Sequence, residues 1–282
     1  MATASVMSNA EIAAALREAA GLLRAQGAGT FRIAAYEKAA DTVEALPQSI
    51  ASLAAGGIEA LDGLPHIGPG LASAIQEILA TGRWVQLERL RGASDPEALL
   101  RGVPGVGPML ARRIHDHLDC GTLEALEAAA HDGRLAAVPG IGPRRAAAIM
   151  LGVSGLLNRK RPVGPGAPPV PPVATLLDVD REYREKAVTG ALRLIAPKRF
   201  NPEGKAWLPV LHTERGPWHF TALYSNTARA HDLNKTGDWV VIFYSTDSRP
   251  EGQCTVVTET TGPRRGLRVV RGREPETPRA PA

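Results

Sequence analysis

The sequence predicts a multi-domain chain with an all-helical first half, a proline-rich linker and an α+β second half. Three observations predict it. Apolar residues recur at helical spacing through residue 158, and nothing there alternates like a strand. Residues 159–175 contain six prolines. Beyond them come β-branched and aromatic runs divided by turn residues. The chain then divides into a helical unit (1–92), a second helical unit (93–158), the linker (159–175), an α+β domain (176–275) and a tail (276–282).

The elements follow in order. Ile12, Leu16, Ala19 and Leu23 form one helical stripe, with Asn9 as N-cap and Gly27 and Gly29 as the stop. A second helix runs from about Phe31 to Leu46 and ends at Pro47. A short third one covers Ile50 and Leu53 before Gly56-Gly57. Proline fixes φ and removes a donor, so the linker is extended. At about 3.1 Å per residue it reaches roughly 50 Å. Its leading Arg159-Lys160-Arg161 suits phosphate contact or a solvated domain edge equally. A helix is predicted over Asp178–Ala196. Five strands are predicted at Trp207–His212, His219–Tyr224, Trp239–Tyr244, Cys254–Thr258 and Leu267–Val270, with one helix within Asn226–Leu233.

Composition narrows the function. The two cysteines, Cys120 and Cys254, lie far apart, which argues against a disulfide framework or a thiolate metal site. Met1–Ala10 has neither a basic segment nor an apolar one, so no secretory leader is expected. No run reaches the roughly 18 apolar residues of a membrane span. The expectation is a cytoplasmic protein, nucleoid-associated if bacterial. Residues 1–158 hold 13 Lys/Arg against 16 Asp/Glu, and residues 159–282 hold 20 against 13. The basic excess of the second half suits a polyanion.

One segment occurs three times: Leu64–Ile75, Val103–Ile114 and Val138–Ile149. Each reads hydrophobic-Pro-x-hydrophobic-Gly-Pro and then an apolar-periodic helix. Gly105 and Gly140 permit a tight turn. Gly107 and Gly142 lack a Cβ, so another backbone can come close. Pro108 and Pro143 sit at the first helical position, where a missing N–H costs nothing. The product is a helix-hairpin-helix motif whose exposed N-terminal amides suit an anion. On DNA that anion is a backbone phosphate, which positions without reading sequence. Arg112-Arg113 and Arg144-Arg145 follow the second and third hairpins. The first has His66 in place of its turn glycine and no Lys or Arg up to Leu79, so weaker phosphate binding is expected there.

Residues 9–155 resemble the N-terminal part of the family X DNA polymerases. Phe31–Ala40 is similar to that family's Ala-Tyr-x-Lys-Ala helix, Ala80–Arg83 and Leu87–Leu90 to the end of its lyase domain, and Val103–Ile114 with Gly121–Ala129 to its fingers region. The resemblance implies a lyase-like helical domain, then a tandem helix-hairpin-helix domain. It also implies a monovalent cation, K+ or Na+, on backbone carbonyls of Arg101, Val103 and Val106, and of Ala136, Val138 and Ile141 in the third hairpin; no other cofactor is required. The departures are specific. The lyase reaction needs a lysine amine for a Schiff base, and Ala74 and Gly70 occupy the matching lysine positions. Lys38 and Tyr36 remain, with Lys38 read as a solvated helix lysine. Polymerase transfer needs three aspartates around two magnesium ions. Asp178-Val179-Asp180 is the only Asp-x-Asp, and it reads as a helix cap and a solvated acid.

No family is apparent after the linker. Trp207, His212, Trp218, His219, Asn226, Arg229 and His231 are the residues to weigh. His212 and His219, on neighbouring strands, suit a metal or a phosphodiester, or plain packing. His115 and His117 point apart on one helix. Arg264–Arg273 reads as a charged edge strand or as a track for a nucleic-acid strand. No catalytic residue is assigned. The reading is a sequence-blind DNA-binding protein of repair or maintenance. It holds duplex, nicked or gapped DNA through Gly105, Gly107, Arg112, Arg113, Gly140, Gly142, Arg144 and Arg145. A nuclease or abasic-site lyase with its chemistry around His212, His219 and His231 is the alternative, and a protein-interaction scaffold is the third.

Overall fold

The computed structural model describes residues 7–92, 96–156, 170–246 and 249–277. Arg159-Lys160-Arg161 and most of the linker lie outside these residues. The first part is helical: α1 (Asn9–Ala25), α2 (Thr30–Ala45), α3 (Ile50–Ala54), α4 (Ile58–Asp62), α5 (Pro69–Thr81), α6 (Val85–Leu90), α7 (Pro96–Arg101), α8 (Pro108–Leu118), α9 (Leu123–His131) and α10 (Pro143–Leu156). The stripe Ile12, Leu16, Ala19 and Leu23 is buried as its spacing requires. Ser8, not Asn9, caps α1. Its hydroxyl accepts the Glu11 amide at 3.3 Å, and the Glu11 carboxylate accepts the Ser8 amide at 2.7 Å. Asn9 instead clasps the entry to α3, donating to the Gln48 carbonyl at 2.9 Å and accepting the Ile50 amide at 2.8 Å. Two apolar cores result, one around Leu16, Tyr36, Ile75 and Trp84, the other around Leu100, Ile114, Leu126 and Ile149.

The second part comprises α11 (Val173–Val188), β1 (Arg193–Ile195), β2 (Leu208–Arg215), β3 (Trp218–Tyr224), α12 (Ala228–Asp232), β4 (Val240–Thr246), β5 (Arg249–Thr258) and β6 (Arg268–Val270). The strands form one antiparallel meander in the order β1-β2-β3-β4-β5-β6. The helix expected over Asp178–Ala196 is displaced toward the N-terminus. It starts directly after Pro172, its N-cap, inside the segment assigned to the linker, and stops before Gly190, whose φ is +69°. Residues 193–195, expected to be helical, pair with β2 as a sixth strand. Leu194 and Ile195 fit either period, and the available edge of β2 decides.

The period of two gives the sheet two different faces. Leu211, Phe220, Ala222, Ile242, Val256 and Val270 point to α11 and meet its Leu176, Val179 and Tyr183. Asp180 also lies on this side. The sequence suggested a solvated acid, but Asp180 is wholly buried, holding Arg268 with both carboxylate oxygens and Arg184 at 3.0 Å. Asp178, its neighbour in the Asp-x-Asp, pairs with Arg181 and Arg215 at the surface.

The opposite face meets the helical half. His212 contacts Gln26 through Nε2 at 2.9 Å. The Arg89 guanidinium stacks on Phe243 at 3.6 Å and pairs with Glu251 at 2.6 Å. Gln253 accepts the Gly121 amide at 2.9 Å, and Asp119 accepts from Ser225 and Thr255 at 3.4 and 3.3 Å. Gly92 allows a close backbone approach: its φ is +72°, and a Cβ there would lie 2.4 Å from the Ala196 carbonyl oxygen. Cover on both faces explains why β4 is buried without a break over Val240–Phe243. No helix among the described residues is long and apolar enough to cross a membrane.

Two titratable groups in this interface have opposite signs. Burial, with Arg32 and Arg89 nearby, pushes the His212 imidazole down from 6.5 to about 3. Burial pushes the Asp119 carboxyl up from 3.8 to about 7, against the pull of its hydroxyl donors. Below pH 6.5 the unfolded state protonates His212 first, so stability falls with acid until about pH 3. Above pH 3.8 the unfolded state ionises Asp119 first, so stability falls as pH rises to about 7. The two slopes cancel between 3.8 and 6.5. Asp119→Asn is therefore expected to make the thermal midpoint fall toward acid, and His212→Gln to make it fall toward neutrality. Melting curves at several pH values check both. Two profiles as flat as that of the parent protein would contradict the assignment.

Candidate nucleic-acid interface

The three repeated segments fold into one local shape. Each Pro-x pair forms the middle of a four-residue turn closed by a backbone hydrogen bond: Ile67 to Leu64 at 3.2 Å, Val106 to Val103 at 3.0 Å and Ile141 to Val138 at 2.9 Å. The third turn residue is left-handed in all three, at φ +60° for His66, +83° for Gly105 and +84° for Gly140. His66 therefore preserves the first turn, as histidine tolerates this region better than most residues. A proline then opens the following helix at α5, α8 and α10.

The second and third hairpins are exposed. Pro104, Gly105, Gly107 and Pro108 face solvent, as do Pro139, Gly140, Gly142 and Pro143. No side chain caps α8, whose N-cap is Gly107. Its first amides are thus open to water or to an outside partner. Gly107 has φ −81° and ψ 174°, which any residue adopts, and a Cβ there would meet nothing within 4 Å. Gly142 likewise lacks positive φ and faces open space. Neither glycine is required by the fold.

The two hairpins interlock. Pro104 of the second turn packs on Gly152 of α10, where a Cβ would stand 3.2 Å from its Cδ. Arg113 of α8 lies over the third turn, where a Cβ on Gly140 would be 2.7 Å from its Nη1. Arg145 donates to the Gly140 carbonyl at 2.8 Å. Arg113 and Arg145 thus bring two positive charges to one turn. Arg112 and Arg144 are exposed beside them, Arg112 being 3.8 Å from Glu97. The sequence reading did not include Gly152. Its only signal was a glycine within a helical pattern, which tertiary contact alone explains.

The first hairpin is placed differently. α5 packs on β5 of the sheet, with Ser73, Ala74 and Glu77 buried. Ala74, where the family X resemblance would expect the lyase lysine, is therefore buried. Tyr36 is buried against Trp84, and Lys38 is exposed.

The C-terminal residues scatter. His212 binds Thr221 and Gln26, His219 binds Glu214 at 3.1 Å, and His231 binds Asn226 at 2.6 Å and stacks on Phe200. Each of the three histidines thus has partners of its own. Trp218 packs edge-on against Tyr244, on the α11 side. The Arg229 side chain lies outside the described residues. His115 is buried against the Cys120 carbonyl, whereas His117 is exposed. In the basic Arg264–Arg273 segment, Arg268 is consumed by Asp180 and Asp238, and Arg273 by Glu276 and the Pro171 carbonyl. Neither is turned outward to track a nucleic acid.

Residues 7–84 match the helix-hairpin-helix domain family model, and residues 97–153 match that of the SAM-like helix-hairpin-helix tandem. The helical half is a helix-hairpin-helix region. Such domains generally bind nucleic acid, and the exposed second and third hairpins fall within the second match.

Proposed function

We propose that this chain binds DNA without sequence preference, in repair or maintenance, by placing backbone phosphates on the second and third hairpins. The phosphates lie against the amides at Gly107 and Gly142, with Arg112, Arg113, Arg144 and Arg145 as the surrounding charge. Duplex, nicked or gapped DNA all present this backbone. The observation that carries the reading is the pair of glycines with open space around them. Their lack of a side chain serves nothing inside the molecule, and it leaves room for a sugar-phosphate chain at a helix N-terminus. Backbone carbonyls of Arg101, Val103 and Val106 fit a K+ or Na+ ion in donor type. The Val103 carbonyl accepts one turn hydrogen bond and keeps its second lone pair. Such an ion would supply positive charge beside the phosphate.

A double change, Gly107→Ser with Gly142→Ser, tests the reading. Serine is as good an N-cap as glycine or better by a few tenths of a kcal/mol, so stability should hold or rise slightly. The new side chain takes the amides and the space, so DNA affinity should fall about tenfold or more, at least 1.4 kcal/mol. Anisotropy titration reads the affinity and urea unfolding the stability. Unchanged binding by a stable variant would remove the hairpin corners from the interface.

A further inference from the structure

A cavity of about 90 Å3 opens between the helical half and the sheet, remote in role from the hairpins. Its walls are mostly apolar, including Val85, Leu208, Leu223, Val241 and Phe243. Its polar lining includes three cationic side chains, Arg89, Lys198 and Arg199, with Ser225 and Asn226 already spent on Asp119 and the Arg199 carbonyl.

Arg89 is the unusual residue. It is only 5% exposed. Phe243 fixes its plane and Glu251 takes its Nη2 edge. Among the described residues, its Nε and Nη1 have no acceptor, nor does the buried Nη1 of Arg199, whose Nη2 is held by Glu97. A buried donor left without a partner is costly, more so when charged. Buried polar groups of this kind are normally satisfied. Both guanidiniums line this cavity, and an oxyanion seated in it would offer acceptors to these three atoms. Arginine is suited to phosphate and carboxylate by its planar fork. The single carboxyl in the wall, Asp119, stays protonated up to about pH 7 through burial, so it opposes an anion little below that pH.

We infer that this cleft binds a small organic oxyanion, with its phosphate or carboxylate on Arg89 and Arg199 and its apolar body against Leu223, Val241 and Phe243. The site does not depend on the hairpin reading. Its position between the two halves makes the ligand a clamp, because it touches α6, the loop after β1 and β3 to β5 together.

The probes are phenyl phosphate and benzoate, with benzyl alcohol as the uncharged control, added to the full-length protein at constant ionic strength. Either oxyanion should raise the thermal midpoint, and benzyl alcohol should not. A shift from phenyl phosphate alone assigns a phosphate ligand, and one from benzoate alone a carboxylate. Calorimetric titration should show the dissociation constant rising about tenfold or more in Arg199→Gln, the expected scale for a charged hydrogen bond. Arg89→Lys should do the same if it folds. Leu223→Phe, which fills the cavity and keeps both arginines, should also weaken binding. Arg113→Glu should leave it unchanged. Equal effects of the alcohol and the oxyanions, no effect of any probe, or binding that survives both Arg199→Gln and Leu223→Phe would overturn the inference.

Discussion

Reversing Arg112, Arg113, Arg144 and Arg145 to glutamate is expected to lower DNA affinity by about 100-fold or more at about 0.1 M salt, and by the same factor on unrelated sequences. The helical half holds more acidic than basic residues, so its attraction for DNA is local to the hairpins and not a property of its net charge. Each phosphate contact releases counterions, and losing one reduces the salt slope by about one. Losing all four should flatten a plot of log affinity against log salt by up to about four units. The pairs should differ. Arg113 and Arg145 touch the third turn, so their reversal places negative charge beside the phosphate and also removes the hydrogen bond from Arg145 to Gly140. Among the described residues neither Arg112 nor Arg144 has a hydrogen bond to the turn, and this pair should account for the smaller share. Surface changes of this kind seldom move stability by more than about 0.5 kcal/mol, apart from that bond. An unaltered salt slope in the fourfold variant would show that DNA, if bound, sits elsewhere.

The hairpins were legible in the sequence because their chemistry is local. A left-handed glycine and a proline at the first helical position act within six residues, and the arginines follow on the same helix. The strands were legible for the same reason: Trp207–His212 and Trp239–Tyr244 are short apolar runs bounded by turn residues. What could not be read came from distant partners. Arg89 resembled any helix arginine until Glu251 and Phe243, about 160 positions away, gave it a role. His212 suited a metal, a phosphodiester or plain packing until Gln26 and Thr221 took its two nitrogens. β1 was hidden because a three-residue strand has too few alternations to compete with the helix before it. The docking of the sheet on the helices rests on contacts of this kind throughout. A linker long enough to separate the two parts said nothing about whether they touch.

Asp180 and Arg268 show how far such a pair alters an expectation, and Arg268→Met should destabilise the protein by about 3–5 kcal/mol, the usual consequence of leaving a buried charge with its main partner removed. Arg268 donates Nε and Nη2 to the two oxygens of Asp180, at 3.0 and 2.5 Å. It donates Nη1 to Asp238 and Thr258, and Nη2 also to the Val256 carbonyl. One side chain thus ties α11 to β5 and to the edge strand β6. After Arg268→Met, Asp180 keeps, among the described residues, Arg184, a half-exposed neighbour one turn along its own helix. The edge strand loses its anchor as well, so its amide protection should fall first. The two-site change Asp180→Leu with Arg268→Met removes both charges, and it should be far less harmful than Arg268→Met alone, or even stabilising, because it also removes the cost of burying them. Urea unfolding of the two single variants and the double one measures this non-additivity. Simple addition of the single effects would mean that the pair is solvated, and that its burial between α11 and the sheet is not what holds this face together.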